Sequence, residues 1–293
     1  MKLRLPYLLI APALLLMTFW TFYPFIYLYY LSLSRWNIGD PEPVFIGLGN
    51  FEKLFFHDPR FLNSVAVTAA FTFLSVVISM FIGFGLALVL NKSLRGFGLA
   101  RTLFLLPMSM TPIVTSLVWS QLWTPPWSWI NFFLTQLTFG AFPLESEWLF
   151  NPDLALITVV ITDAWQWTPF VILALLAGFQ SLPREPYEAA LVDGASKVQI
   201  LRYVTLPAMS TLILIVLIFR TVWAIRSFDI IFAMTNGGPG TVTENLPIWI
   251  FKQMMEFYKI GYSAAVAVVT FIVILAITMI LVKLVRRTFR EEV

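Results

Sequence analysis

Asp163 and Arg220 are the residues in this sequence with most to say about chemistry, because each lies inside a long apolar stretch. An ionisable side chain at membrane depth is costly and faces the protein interior or a water-filled path. Asp163 stands about nine residues inside its stretch, ~14 Å at the helical rise, and Arg220 about twelve residues inside the next, ~18 Å from the opposite side. Both fall near the middle of a bilayer. There they pair with each other or line a polar substrate cavity, and the two readings are compatible. Asp163 and Trp167 are four apart and share a helix face. Arg220, Trp223, Ala224 and Ser227 follow at i, i+3, i+4 and i+7, which is another single face. Polar groups alternating with flat rings suit a sugar, whose hydroxyls take hydrogen bonds while its C–H face packs on an aromatic ring. An aromatic stripe at helical spacing is more often plain packing.

Composition narrows the setting. The 293 residues are 59% hydrophobic and 12% charged, the balance of a polytopic membrane protein rather than a soluble domain. The net charge of +3 is small and its basic residues are spread out, so no nucleic-acid patch forms. There is no cysteine, which removes disulfides and thiolate metal sites. His57 is the lone histidine, leaving almost no material for His-based metal or proton-relay chemistry. No Walker A sequence is present, so ATP hydrolysis is not expected of this chain. No catalytic set and no metal site are expected.

The elements that position these residues are six apolar stretches, at 7–33, 62–90, 103–123, 154–179, 208–232 and 262–283. The first is too long for a signal peptide and lacks a small-residue cleavage site, so it reads as a span. Lys2 and Arg4 precede the first span. Lys92, Arg95 and Arg101 lie between the second and third, Arg184, Lys197 and Arg202 between the fourth and fifth, and Lys283, Arg286, Arg287 and Arg290 after the last. The alternate loops carry only Arg35, Lys53, Arg60, Lys252 and Lys259. Twelve against five puts both termini and the loop at 181–207 in the cytoplasm. The loop at 124–153 has no Lys or Arg, and Trp123, Trp127, Trp129 and Trp148 suit an outer-surface belt. Pro24, Pro107, Pro112 and Pro169 fall within spans and kink or open them.

The loop at 181–207 is polar where its neighbours are apolar. It reads as two short helices with a break. Ser181 can cap the first and Pro183 suits an early helical position. Tyr187 and Leu191 share a face beside the small Ala189 and Ala190. Gly194 after Asp193 can end the first helix in a left-handed conformation. Ser196 can cap a second helix that runs to Leu206, with Pro207 opening the next span. Such a segment either lies on the lipid surface or docks a soluble partner.

Several motifs then point one way. Glu188-Ala189-Ala190, Asp193-Gly194-Ala195, Ile200 and Leu206-Pro207 resemble the EAA motif of binding-protein-dependent ABC importer permeases. Gly47-Leu48-Gly49-Asn50-Phe51 and Asp58-Pro59-Arg60-Phe61 resemble elements that follow the first span of such permeases. Thr235-Asn236-Gly237-Gly238-Pro239 resembles an element of their carbohydrate-importing branch, and Phe219-Arg220-Thr221 with Arg226-x-Phe228-Asp229 resembles permeases for trehalose or related disaccharides. The resemblance runs from about residue 7 to 287.

It implies an all-α membrane protein, the six-helix transmembrane domain of a type I ABC importer. The chain would be one permease domain, 1–293, with its core at about 62–283 and a coupling loop at 181–207. Tyr187, Glu188, Ala189, Ala190, Leu191, Asp193, Gly194 and Ala195 would couple to the ATPase. Aligning the tryptophan before Pro169 and counting back from the Gly-Gly-Pro turn would put Asp163, Trp167, Arg220, Trp223, Ala224 and Ser227 on sugar-binding positions, although Asp163 and Arg220 replace uncharged groups of the family. The expected partners are a second homologous permease subunit, two ATPase subunits that bind the ATP and Mg, an extracytoplasmic sugar-binding protein, a disaccharide or short oligosaccharide, and membrane lipid. No cofactor is expected in this chain. The expected location is a bacterial or archaeal cell membrane, crossed several times with both termini inside. The alternatives are a permease for another solute, such as glycerol phosphate, and an ion-gradient-driven secondary transporter. Inverted repeats and paired broken helices would mark the latter.

Overall fold

The computed structural model describes residues 4–91, 97–126, 128–141 and 144–291. Lys2, Lys92, Arg95 and Trp127, used above for orientation and the aromatic belt, lie outside the described residues. In chain order the helices are α1 (Arg4–Ser32), α2 (Gly49–Phe56), α3 (Pro59–Leu90), α4 (Phe97–Ser109), α5 (Pro112–Trp123), α6 (Trp129–Leu137), α7 (Ala155–Ser181), α8 (Glu185–Val192), α9 (Lys197–Ile200), α10 (Leu206–Ile225), α11 (Asp229–Thr235), α12 (Leu246–Met255) and α13 (Ile260–Glu291). Between α1 and α2, β1 (Ser34–Arg35) pairs antiparallel with β2 (Val44–Phe45), a two-residue ladder in an otherwise helical protein.

Among the described residues, five helical segments are long and apolar enough to cross a bilayer, and a sixth exists if α4 and α5 count as one bent span. The expected continuous span at 103–123 is therefore broken, with a bend of 102° between its halves. Pro112 is the cause. It has no N–H to donate, and it pushes the preceding residue out of the helical region; Thr111 sits at φ −68, ψ 145. The carbonyl of Met110, at the break, accepts from Gln166 Nε2 of α7 at 3.0 Å. Irregular backbone at membrane depth requires such a partner.

The expected span at 208–232 is displaced at both ends. α10 stops at Ile225, and the chain turns through Arg226, Ser227 and Phe228 before α11. At the other end Pro207 opens nothing new. α9, a π-helical turn at Leu201–Thr205 and α10 form one helix from Lys197 to Ile225. Pro207 removes the donor that would meet the carbonyl four residues back. The widened turn shifts the pattern by one residue just before it, with the Leu206 N–H bonded to the Leu201 carbonyl.

The chain divides into two compact units, residues 1–62 with 249–273, and residues 63–248 with 274–293. In the first, the buried Asn50 amide donates to the carbonyls of Ser32 at 2.9 Å and Ser34 at 2.8 Å, fixing α2 against the end of α1. Asp58 caps α3, accepting from the N–H groups of Arg60 and Phe61 at 3.0 Å each. Its second oxygen accepts from the Tyr262 hydroxyl. The two motifs following the first span thus pin backbone.

The second unit holds the candidate site. Phe71 and Val76 of α3, Val159 and Val160 of α7, Ala224 of α10, and Ile230 and Ile231 of α11 form one buried cluster. Leu175, Leu176 and Phe179 of α7 form another with Met209 and Val216 of α10. Gly178 is what lets α7 and α10 touch. A Cβ there would stand 2.8 Å from Met209 Cε, and lipid-embedded helices rely on such small residues for close packing. Of the three described tryptophans of the expected belt, Trp123 is buried, Trp148 half-buried and Trp129 exposed. Trp123 and Trp148 pack with ring centroids 4.9 Å apart, and Trp123 Nε1 donates to Thr162 Oγ1 of α7 at 3.3 Å. α5 packs on α7, so Trp123 faces protein.

Candidate functional site

Asp163 of α7 and Arg220 of α10 pair. Arg220 Nη2 donates to Asp163 Oδ2, and both side chains are buried. Ser75 of α3 accepts from Arg220 Nη2 and donates to Asp163 Oδ2. Arg220 Nε donates to Ser79 Oγ at 3.0 Å, and Ser79 Oγ donates to the Ser75 carbonyl at 2.7 Å. Buried charge persists only when paired and hydrogen-bonded, and this network supplies both from three helices. Arg220 Nη1 and Gln166 Oε1 are buried with no hydrogen-bond partner among the described residues. Ser75 and Ser79 were not singled out from the sequence. Their spacing of four, with Thr68 and Thr72 ahead of them in an apolar run, is a polar stripe that could have found them.

About one turn along α7 and α10 from the ion pair, two tryptophans meet. The rings of Trp167 and Trp223 are 4.9 Å apart and tilted by 39°. The edge of Phe170 packs on Trp223 at 4.7 Å. With Pro112, Arg226, Ser227 and Asp229, the two tryptophans line a cavity of about 310 Å³, near the lower end of small-molecule sites at ~300–1,000 Å³. Of the six residues expected at a binding face, Trp167, Trp223 and Ser227 line this cavity. Asp163 and Arg220 are sealed into their own pair. Ala224 is fully buried in the core. Ser227 does not extend the Arg220 face as the i+7 spacing predicts, because α10 has already ended. Arg226 and Asp229 stand out in the sequence only as part of a trehalose-type resemblance; their place at the cavity is not read there, because a helix drawn to 232 scatters them around its circumference.

The loop at 181–207 folds as two helices about a glycine. Ser181 is the last residue of α7 and its hydroxyl donates to the Gly178 carbonyl, so it does not cap the next helix. α8 starts at Glu185 instead, with Pro186 in its first turn. At its end the Ala195 N–H bonds the Ala190 carbonyl at 2.9 Å and the Gly194 N–H bonds the Leu191 carbonyl at 3.1 Å. This closure needs a left-handed residue, and Gly194 sits at φ +76. Ser196 caps α9 in a reciprocal capping box with Gln199. Tyr187 turns back, its hydroxyl donating to Thr205 Oγ1 at 3.2 Å. Glu188, Ala189, Leu191, Asp193 and Gly194 are exposed, Ala190 and Ala195 partly so. Leu191 is 64% and Val192 88% exposed, an apolar edge that nothing among the described residues covers.

Apolar helices of spanning length, one of them broken beside a cavity, together with an exposed helical elbow, define a multi-pass membrane permease. The chain belongs to the family of binding-protein-dependent transport system inner membrane components, which it matches over residues 79–291. It is 34% identical to the trehalose/maltose transport system permease protein MalF of Thermococcus litoralis, over 99% of this chain and 95% of that protein. It is 36% identical to the trehalose transport system permease protein SugA of Mycobacterium tuberculosis, over 96% of this chain and 88% of that one. In fold it is similar to a chain of a bacterial ABC transporter involved in the import of the acidic polysaccharide alginate. The TM-score there is 0.82 at 20% identity, covering 97% of this chain and 96% of that chain.

Proposed function

We propose that this chain is one membrane-spanning subunit of an ATP-driven importer for a disaccharide or short oligosaccharide, with the sugar passing the cavity lined by Trp167 and Trp223. The tilted tryptophan pair carries this reading. It offers two flat faces to a pyranose, with the Ser227 hydroxyl beside them for a hydrogen bond. Family membership and relatives named for trehalose and maltose support the substrate class. Asp163 and Arg220 act as the brace behind this wall.

The energy comes from elsewhere. α8 and α9 dock on an ATPase subunit, whose groove covers Leu191 and Val192 and reads Tyr187 to Ala195. A second permease subunit completes the path and two ATPase subunits bind the ATP and Mg. An extracytoplasmic binding protein delivers sugar at the end of the path that holds α11. Both termini and the elbow lie in the cytoplasm. Reconstitution of the assembled complex in proteoliposomes tests the whole reading. Sugar should accumulate only with ATP and binding protein, and should still do so after ion gradients are collapsed. Accumulation that needs a gradient and ignores ATP would make the chain a secondary transporter.

A further inference from the structure

Two opposite charges line the tryptophan cavity, and neither has an ion-pair or side-chain hydrogen-bond partner among the described residues. Arg226 closes α10 and Asp229 opens α11, three residues further on. Both residues are exposed, so their charges are open to a ligand in the cavity. Here the turn at Ser227 and Phe228 intervenes, its backbone held by the Asn245 amide, which donates to the Ser227 carbonyl at 2.6 Å. We infer that Arg226 and Asp229 are the specificity pair of this cavity and that they select neutral polyhydroxylated ligands with adjacent hydroxyl groups. The inference rests on the sugar-import reading.

The chemistry is complementary. An ionised carboxylate only accepts hydrogen bonds, and a guanidinium only donates them. A hydroxyl does both, so a vicinal diol can donate to Asp229 and accept from Arg226. Bonds to ionised groups are the stronger ones, and guanidinium and carboxylate both bind two-pronged partners. A ligand carrying a phosphate or carboxylate would satisfy Arg226 but be repelled by Asp229. A cationic ligand meets the reverse problem. A neutral sugar satisfies both charges while its ring lies on Trp167 or Trp223.

The test is uptake by the complete complex in proteoliposomes, with one unchanged binding protein so that its own preferences cancel between variants. Trehalose is the labelled probe and trehalose 6-phosphate the unlabelled competitor. Arg226→Gln and Asp229→Asn are each expected to raise KM for trehalose about tenfold or more, with Vmax kept within about twofold. Asp229→Asn should also strengthen competition by trehalose 6-phosphate about tenfold, whereas Arg226→Gln should weaken it. If Asp229→Asn fails to assemble, Asp229→Glu keeps the charge and should give an intermediate KM. Wild-type KM values in both variants would show two merely solvated charges and overturn the inference alone. A wild-type complex that takes up no sugar with any binding protein would overturn the import reading as well.

Discussion

Arg220 and Asp163, 57 residues apart in sequence, form an ion pair whose side chains are 0% and 1% exposed. The pair clamps α10 to α7, and Ser75 and Ser79 tie both to α3. Trp167 follows Asp163 by four residues and Trp223 follows Arg220 by three. The clamp therefore sets the separation of the rings that wall the cavity. Charge in this protein fixes the aromatic geometry from behind.

Removing one charge should be far worse than removing both. Asp163→Asn leaves Arg220 buried without a counter-ion, at a cost of about 3–5 kcal/mol. Thermal unfolding of the purified complex and its yield from membranes should both fall sharply. Replacing the pair together, Asp163→Leu with Arg220→Met, should recover most of the loss. A single Asp163→Asn variant as stable as wild type would show that the clamp bears no load.

The tryptophans should act on affinity. Trp167→Ala and Trp223→Ala each remove a ring face and should raise KM for sugar about tenfold, whereas Phe at either position should keep most of the contact. Uptake kinetics in proteoliposomes measure this. Unchanged KM in both alanine variants would take the rings off the pathway.

Ala224 separates packing from binding. It shares a core with Val159, Val160, Ile230 and Ile231, so Ala224→Ile should overpack the core at a cost of about 1–3 kcal/mol. The expected signature is a lowered melting temperature with KM little changed. A raised KM at wild-type stability would put Ala224 back on the ligand face.

Gly194 should distinguish strain from docking. Its φ of +76 disfavours most side chains, yet a Cβ there would meet no atom of this chain within 4 Å. Asn tolerates the left-handed conformation, so Gly194→Asn should preserve the fold. On the proposed docking it should still uncouple ATP hydrolysis from uptake, because the added side chain stands where the ATPase approaches. Full coupling in Gly194→Asn would mean that surface is open.

What was legible in the sequence followed local rules. Apolar runs gave the spans, and the Asp193-Gly194 break and the Ser196 cap appear where turn chemistry puts them, with Gly194 left-handed and Ser196 bonded to Gln199. Errors arose where one residue's effect depends on its neighbours. Pro207 was read as a boundary, yet a widened turn absorbs it without a break. Pro112 could kink or open its span; it opens it, with Gln166 meeting the Met110 carbonyl exposed at the break. Ser181 was read as a cap, but α7 runs through it. The ion pair was legible as one of two alternatives from depth alone, while the serines completing it were hidden among many small residues. Arg226 and Asp229 are visible as a trehalose-type run but not as cavity residues, because that place depends on where α10 ends, and boundaries are what periodicity fixes least.

The central claim is that the elbow of α8 and α9 is driven by a separate ATP-hydrolysing subunit. The chain has no cysteine, so Val192→Cys creates a unique thiol on the most exposed apolar residue of α8. A short bifunctional reagent applied to native membranes should join this thiol to the ATPase subunit in high yield, with a yield that changes when ATP is added. A thiol that reacts only with lipid-phase reagents, and never crosslinks to an ATPase, would contradict the account.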